Sequence, residues 1–366
     1  MPNTTERQFL ALLRYGLQGR MDDLADRWET ADWPAIGRQA RRQAVAGVTY
    51  DGIALLPPSQ RPPRGLLLEW YARTVRIERE NALLDGRLVE AVGRYRHMGL
   101  SPVLLKGQGV AQYYRLPAHR QPGDIDLFFP EGYEAANAEI LRWDGVVSLE
   151  ETTYHRGFLW NGVEIENHRL YVDFYHRRNR RAWQRVAAEV PLTGEERYRV
   201  GTDFSVPVPA PQMNAVYLFL HLLHHFLQVG VGLRQVCDWV RFVQTRHEAI
   251  DPALFAQCIE ELRLRRAVTA LAYVGETYLG LPPKLLHLPT HTPEARHYGE
   301  MLLRDVLDRG NFGQDTELWR SFRRGRFWKN IQAYRMALCR QFRLYPFCPA
   351  EVRAYPLEWL KRHVRH

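Results

Sequence analysis

Two aspartates, Asp124 and Asp126, are the residues whose type and spacing most directly suggest chemistry. They lie in the segment GDIDL at 123–127, where polar and apolar residues alternate as in a β-strand. Side chains two residues apart on a strand point to the same face, so both carboxylates should project together. Such a pair repels itself unless a cation neutralises it, and oxygen ligands suit Mg²⁺ or Mn²⁺. The spacing favours a metal site for phosphoryl transfer; the alternative is an acidic pair that only flanks a turn.

A glycine-containing turn precedes these aspartates. The segment LLKGQG at 104–109 places glycines where an apolar strand meets a helix. Backbone N–H groups at a helix N-terminus attract anions, and Gly107 would let a phosphate approach the backbone closely. Lys106 would add a positive charge. The alternative is an ordinary strand-to-helix turn with a solvated lysine.

Together, LLKG (104–107), Arg120 and GDIDL (123–127) resemble the polymerase-β-like nucleotidyltransferase superfamily. They are most similar to a bacterial family of uncharacterised nucleotidyltransferases with an LKG…R…GDIDL core. The resemblance implies Mg²⁺, with Mn²⁺ as the alternative ion, and transfer of a nucleoside monophosphate from an NTP such as ATP. It also implies a set of residues that contact the donor phosphates: Lys106, Gly107, Gln108 and Arg120. One departure is Gln108, because the superfamily's usual Gly-Gly or Gly-Ser turn is absent here.

The superfamily normally carries a third carboxylate on a strand beside the two aspartates. Glu166 matches the family pattern of an acid two residues before a histidine, here His168. The Asn-Gly pair at 161–162 predicts a hairpin that ends in the strand VEIENH, which favours Glu166. Asp173 and Glu164 are the competing candidates. His168 is predicted to orient a carboxylate or a phosphate, or else to be a hydrogen-bonded residue at the sheet edge.

A helix further along the chain carries Arg234 and Asp238 at a spacing of four residues, which places them on one face. A surface ion pair would explain this spacing. Because the family has a similar LR…D stretch, the resemblance implies instead that they line the nucleotide or acceptor cleft.

The hydrophobic pattern predicts an α+β protein: a minimal nucleotidyltransferase mixed sheet flanked by N-terminal helices and a C-terminal helical bundle. We place the N-terminal helical region at residues 1–98 and the nucleotidyltransferase core at residues 99–210. The C-terminal helical domain then covers residues 211–366. Its end is basic, since residues 320–366 contain twelve lysines and arginines and only two glutamates.

Composition narrows the class of protein further. The chain has 366 residues, 46% of them hydrophobic and 25% charged, as expected for a globular protein. The four cysteines are scattered without a CxxC pair, which argues against a disulfide framework or a structural zinc site. We read no signal peptide and no membrane span, so a cytoplasmic location is expected.

The sequence therefore predicts a metal-dependent nucleotidyltransferase with Asp124, Asp126 and Glu166 as its catalytic and metal-binding residues. The predicted acceptor is a hydroxyl or phosphate of a small molecule or peptide. One alternative keeps the chemistry and takes RNA as the acceptor, with the basic C-terminus as its platform. The other is a nucleotide-binding or interaction protein without catalysis.

Overall fold

The computed structural model describes residues 1–21, 28–311, 334–335 and 338–364 of the chain. It is a mixed α+β fold with helices before and after a five-stranded sheet, so the predicted fold class is confirmed.

Helices form the part of the chain that precedes the sheet. Asn3 and Glu6 form a reciprocal capping box at the first helix, which satisfies backbone N–H groups that the helix leaves unpaired. The Pro-rich segment at 57–63 separates the shorter helices from a long one that begins immediately after Pro63. The helices are α1 (Thr4–Gln18), α2 (Trp33–Arg42), α3 (Ala46–Leu55) and α4 (Arg64–His97).

The sheet has the strand order β1-β2-β5-β4-β3. Only β2 and β5 pair in parallel, while the other neighbouring strands are antiparallel. Two short helices, α5 (Gln108–Ala111) and α6 (Tyr133–Ile140), connect parts of this region. The strands are β1 (Val103–Leu104), β2 (Ile125–Phe128), β3 (Val146–Glu151), β4 (His155–Trp160) and β5 (Val163–His168).

The hairpin predicted from the Asn-Gly pair is confirmed. Strands β4 and β5 are antiparallel, with Trp160 opposite Val163. Asn161 and Gly162 both have positive φ angles, 48° and 84°. A two-residue hairpin turn of this kind requires that conformation, which asparagine and glycine adopt at low cost.

The two faces of the sheet have different roles. Ile125, Leu127 and Ile165 point to one face, where they join a hydrophobic cluster with α4 and α6. Alternation along β2 and β5 therefore turns Asp126 and Glu166 to the opposite face. The hydrophobic residues of the two strands thus fix the direction in which the carboxylates project.

A helix and a hairpin between the sheet and the C-terminal helices were not predicted. Helix α7 (Arg177–Glu189) is rich in arginine and has a narrow apolar stripe, in which Ala182, Trp183 and Val186 are buried. Strands β6 (Thr193–Val200) and β7 (Phe204–Pro209) form a separate two-stranded sheet. Tyr198 on β6 and the valines of β7 complete the cluster under the main sheet.

The rest of the described chain is helical, as the sequence predicts. The predicted helix from Met213 onward is α8, which lies beside the open face of the sheet and supplies a nearly continuous run of buried side chains. None of the helices in the described part of the chain has the length and apolar character needed to cross a bilayer. These helices are α8 (Pro211–Gln228), α9 (Leu233–Arg246), α10 (Pro252–Glu261), α11 (Arg265–Tyr278), α12 (Pro293–Arg309) and α13 (Pro349–Val364).

Candidate active site

Three carboxylates converge on the open face of the sheet. Asp126 on β2 lies directly opposite Glu166 on β5 in the parallel register. Asp124 immediately precedes β2 and is two residues from Asp126, so alternation along the strand places both on the same face. Each of the three offers a carboxylate oxygen within 4.8 Å of the others, so they can hold a metal ion together. Oxygen donors alone favour a hard cation such as Mg²⁺ or Mn²⁺.

Two cationic groups also contact these carboxylates. The Lys106 ammonium lies 3.2 Å from Asp124 Oδ2 and 3.0 Å from Asp126 Oδ1. His168 Nε2 lies 2.9 Å from Asp126 Oδ1 and 3.1 Å from Glu166 Oε2. Positive charge therefore neutralises the carboxylates from two sides, as their close approach requires.

These contacts separate the pKa values of the two aspartates. Burial by itself raises the pKa of Asp124, but the positive charges of Lys106 and Arg234 outweigh it and lower that pKa below its usual range. Burial and the neighbouring Asp124 charge raise the pKa of Asp126 to about 6, despite the opposing effect of Lys106. Asp124 is thus the more firmly ionised member of the pair.

His168 is held in its protonated form by the same cluster. Burial lowers its pKa, but hydrogen bonds to Asp126 and Glu166 outweigh burial and raise the pKa to about 9. The pKa of Glu166 is correspondingly lowered, since the His168 hydrogen bond and Lys106 outweigh its burial. A charged His168 therefore ties Asp126 to Glu166 across the two parallel strands.

One atom of the cluster supports the fit to a metal. Asp126 Oδ1 accepts from Lys106 and His168, whereas the buried Oδ2 has no hydrogen-bond partner among the described residues. Leaving a buried carboxylate oxygen unsatisfied is costly. A divalent cation shared with Asp124 and Glu166 would supply the missing partner.

The glycine turn lies directly against Asp124. Gly107 has φ 59° and ψ −120°, a conformation that favours glycine, and it precedes the short helix α5. A Cβ atom at this position would lie 3.1 Å from the Asp124 carbonyl oxygen. The side chain of Gln108 is buried and points away from the turn. Its amide donates to Asn81 and Asp85 instead. The turn thus positions Lys106 and Asp124 beside each other.

A family model described as an uncharacterised nucleotidyltransferase matches residues 29–280, more than half of the chain. The chain belongs to this nucleotidyltransferase family. No curated protein matches it significantly. The matched range includes the three carboxylates, the glycine turn and helices α2 to α11. The protein is accordingly an NTP-dependent nucleotidyltransferase, and members of such families generally use divalent metals.

Arg120 of the nucleotidyltransferase forms a buried ion pair. Its Nε and Nη2 atoms donate to the two carboxylate oxygens of Asp238, each at 2.7 Å. Tyr114 adds a hydrogen bond to the same carboxylate at 2.6 Å. Burial opposes the charge on Arg120, but Asp238 outweighs it and raises the pKa of the guanidinium. In this arrangement Arg120 fixes the turn that leads to Asp124, and its guanidinium binds Asp238.

Arg234 lies one helical turn before Asp238 but makes different contacts. Its Nη1 atom donates to the carbonyl oxygen of Pro122 at 2.9 Å and approaches Gly123 closely. It lines a small pocket of about 30 Å³ with Lys106, Gly107 and Asp124. Both residues of the predicted pair line this pocket, but Asp238 binds Arg120 whereas Arg234 binds the backbone of the segment that leads into Asp124.

The competing acids lie elsewhere. Asp173 follows the sheet in an irregular segment, accepts a hydrogen bond from Thr153 at 2.7 Å, and does not belong to the three-carboxylate group. Glu164 lies on the same strand face as Glu166 but two residues further along β5 from His168. Burial raises the pKa of Glu164.

His155 is a site residue that sequence reasoning missed. It lies opposite His168 in the β4–β5 pair, and its Nε2 atom is 3.6 Å from Glu166 Oε1. Burial, and then the charge of His168, lower the pKa of His155 to about 4. The hairpin register counted back from the Asn-Gly turn would have placed it beside His168.

Replacing Gly107 by alanine should reduce both stability and NTP affinity. A non-glycine residue at this φ and ψ costs about 1–3 kcal/mol, and its Cβ would press on the backbone of Asp124. Calorimetry should show weaker binding of an NTP analogue. Denaturant unfolding should show a lower free energy of unfolding. Gly86→Ala is the matched control, because a Cβ there meets nothing within 4 Å and alanine favours the α4 helix. Unchanged NTP affinity in Gly107→Ala would show that the turn is only structural.

Proposed function

We propose that the nucleotidyltransferase transfers a nucleoside monophosphate from an NTP to a hydroxyl or phosphate of a small-molecule or peptide acceptor. Mg²⁺ would be held by Asp124, Asp126 and Glu166. The observation that carries this proposal is the convergence of the three carboxylates on one sheet face, with a buried Asp126 oxygen that lacks a partner among the described residues. Mn²⁺ satisfies the same donor set.

In the proposed reaction an acceptor oxygen forms a bond to the α-phosphorus of the NTP. The bond from this phosphorus to the bridging oxygen breaks, and pyrophosphate leaves with the bonding electrons. When bound, Mg²⁺ supplies charge stabilisation for the transferred group. Glu166 takes the proton of an acceptor hydroxyl, since its lowered pKa keeps the carboxylate ionised and able to accept it.

Lys106 and His168 have separate roles in this proposal. Lys106 contacts both Asp124 and Asp126, and with a cation bound to these carboxylates its ammonium would be available to contact a donor phosphate. His168 keeps its hydrogen bonds to Asp126 and Glu166 and fixes the orientation of both carboxylates. The pocket of about 30 Å³ at Asp124 is smaller than an NTP, so a donor bound there would extend beyond it.

Two further residues complete the proposed donor side. Gly107 allows close approach to the backbone beside Asp124, and Arg234 supplies positive charge at the same pocket. Gln108 and Arg120 act indirectly in this proposal, since their polar groups bind Asn81, Asp85 and Asp238. Asp238 then serves to hold Arg120 in place.

The described residues do not favour RNA as the acceptor. Of the predicted basic segment, Arg340 is buried and donates to Asp305 at 2.8 Å, and Arg343 pairs with the same carboxylate. These charges stabilise the packing of the C-terminal segment on α8 and α12. Much of the remainder, residues 320–333 among it, lies outside the described residues.

The direct test is incubation of the protein with labelled NTPs, Mg²⁺ and pools of small molecules and peptides. Mass spectrometry should detect an acceptor that gains the mass of a nucleoside monophosphate and should detect pyrophosphate release. NTP binding without any transfer to these pools or to RNA would support the non-catalytic alternative and contradict the proposal.

Glu166→Gln should lower transfer far more than Asp173→Asn. Removing Glu166 takes away one proposed metal ligand and the proposed proton acceptor, and loss of a general base alone costs about 10²–10⁴-fold. Asp173 lies outside the carboxylate group, so its asparagine variant should retain near wild-type activity. The measurement is kcat for both variants at saturating Mg²⁺ and NTP. A large loss in Asp173→Asn with an active Glu166→Gln would require the two roles to be exchanged.

A further inference from the structure

A second, larger cleft lies beside the catalytic carboxylates. It has a volume of about 940 Å³ and is formed by the start of α1 together with α2, α4, α9 and the end of α12. One carboxylate, Glu6, lines the cleft, and it is bound to Arg304 at 2.9 Å. The remaining charged lining residues are arginines: Arg38, Arg41, Arg42, Arg73, Arg234 and Arg309.

Three of these arginines form no ion pair with the described residues, although the charges of Glu80 and Glu69 act on Arg73 from a longer distance. Arg309 pairs with Asp305, and Arg42 and Arg234 donate to backbone carbonyls. Within the part of the chain that the structure describes, Arg38, Arg41 and Arg73 form no ion pair or hydrogen bond. Burial and then the charges of Arg41 and Arg76 lower the pKa of Arg73, although it remains protonated at neutral pH. Like charges left together in a cleft create a positive potential that favours a bound anion.

The cleft lies next to the segment that leads into the proposed metal ligand Asp124. Its wall includes Gln121, Pro122 and Arg234, the residues that lead into Asp124. Arg234 also lines the pocket at Lys106 and Asp124. The cleft contains none of the three metal-binding carboxylates, so phosphates held on the metal would lie in the smaller pocket rather than among Arg38, Arg41 and Arg73.

We infer that this cleft binds phosphate groups of the acceptor, and that the acceptor is a phosphorylated molecule of about nucleotide size. This inference rests on the proposed function and narrows its acceptor. The volume lies within the range of small-molecule sites, and guanidinium groups bind phosphate oxygens in a bidentate manner. An acceptor anchored there would present its reacting oxygen past Arg234 towards the donor.

The first test is calorimetry with inorganic tripolyphosphate, after the donor site has been filled with Mg²⁺ and a non-hydrolysable NTP analogue. Wild type should bind one further equivalent. A triple variant, Arg38→Ala with Arg41→Ala and Arg73→Ala, should weaken this binding by at least about tenfold without changing the NTP analogue affinity. These side chains are exposed, so the fold should be retained, which unfolding curves will check. The matched control removes three exposed arginines elsewhere: Arg142, Arg185 and Arg265.

Two results would overturn the inference. Failure of wild type to bind tripolyphosphate under these conditions would show that the cleft is not an anion site. An equal loss of NTP analogue affinity in the triple variant would show that the cleft holds the donor. Single Arg73→Ala should give a smaller loss of tripolyphosphate affinity in the same direction.

The second test uses the acceptor pools. Treating a pool with phosphatase, which is removed before NTP is added, should abolish the labelled product. The triple variant should raise KM for the untreated pool and leave kcat nearly unchanged. Product that persists after dephosphorylation would overturn the inference while supporting the proposed function. Tripolyphosphate binding with no transfer to any pool would contradict the proposed function while supporting the anion site.

Discussion

Asp124→Asn should abolish measurable nucleotidyl transfer while the protein remains folded. Asp124 and Asp126 are proposed to hold a cation that stabilises charge on the transferred group, a contribution of about 4 kcal/mol, or roughly 10³-fold in rate. Asparagine keeps the shape of the side chain but removes the charge that attracts the metal. Asp126→Asn should have at least as large an effect, because its carboxylate is fully enclosed by the cluster. Steady-state transfer rates over a Mg²⁺ titration measure both variants.

Asp203→Asn is the matched control, since it makes the same chemical change at an exposed turn between β6 and β7. It should leave both the rate and the Mg²⁺ dependence unchanged. Full activity in the double variant Asp124→Asn with Asp126→Asn would exclude these residues from catalysis.

Asp238→Ala should lower the free energy of unfolding by about 3–5 kcal/mol. This carboxylate accepts hydrogen bonds from Nε and Nη2 of the buried Arg120 guanidinium and from the hydroxyl of Tyr114. Its removal leaves a buried positive charge without a counter-charge, which costs far more than the net contribution of an intact buried pair. Denaturant unfolding measures the loss, and far-UV circular dichroism checks that the variant is folded at low denaturant.

A double variant distinguishes a structural pair from a nucleotide contact. Arg120→Leu with Asp238→Leu removes both charges together and should recover part of the stability that Asp238→Ala loses. Recovery should be incomplete because the Tyr114 hydroxyl stays without its partner. If Asp238→Ala were as stable as wild type and only NTP affinity fell, Arg120 would have to contact the donor directly.

Much of the fold could be predicted from local patterns. The alternation of polar and apolar residues at 123–127 fixes β2, and the Asn-Gly pair at 161–162 fixes the β4–β5 register. These two features suffice to put Asp126 and Glu166 on the same face, once β2 and β5 are known to be neighbours. That neighbour relationship comes from parallel pairing across a long connection, which no local pattern encodes.

The partners of the polar residues could not be predicted from the sequence. Lys106 and Asp124 are 18 residues apart in the chain, and Arg120 and Asp238 are 118 residues apart. Their contacts therefore arise only from tertiary packing. Gln108 follows a glycine turn from which phosphate contact is predicted, but its side chain is buried and its amide binds Asn81 and Asp85. The stripe of α7 has helical spacing, but it contains only three buried apolar side chains among many arginines, so the signal for a helix is short.

The most direct measurement is a crystal structure of the protein with Mn²⁺ and a non-hydrolysable NTP analogue, recorded at a wavelength where manganese scatters anomalously. We predict an anomalous peak whose centre lies about 2.0–2.6 Å from oxygens of Asp124, Asp126 and Glu166. Lys106 should then contact a donor phosphate instead of both aspartates. A peak at Asp173, or a bound analogue with no metal at the three carboxylates, would contradict the proposed metal site.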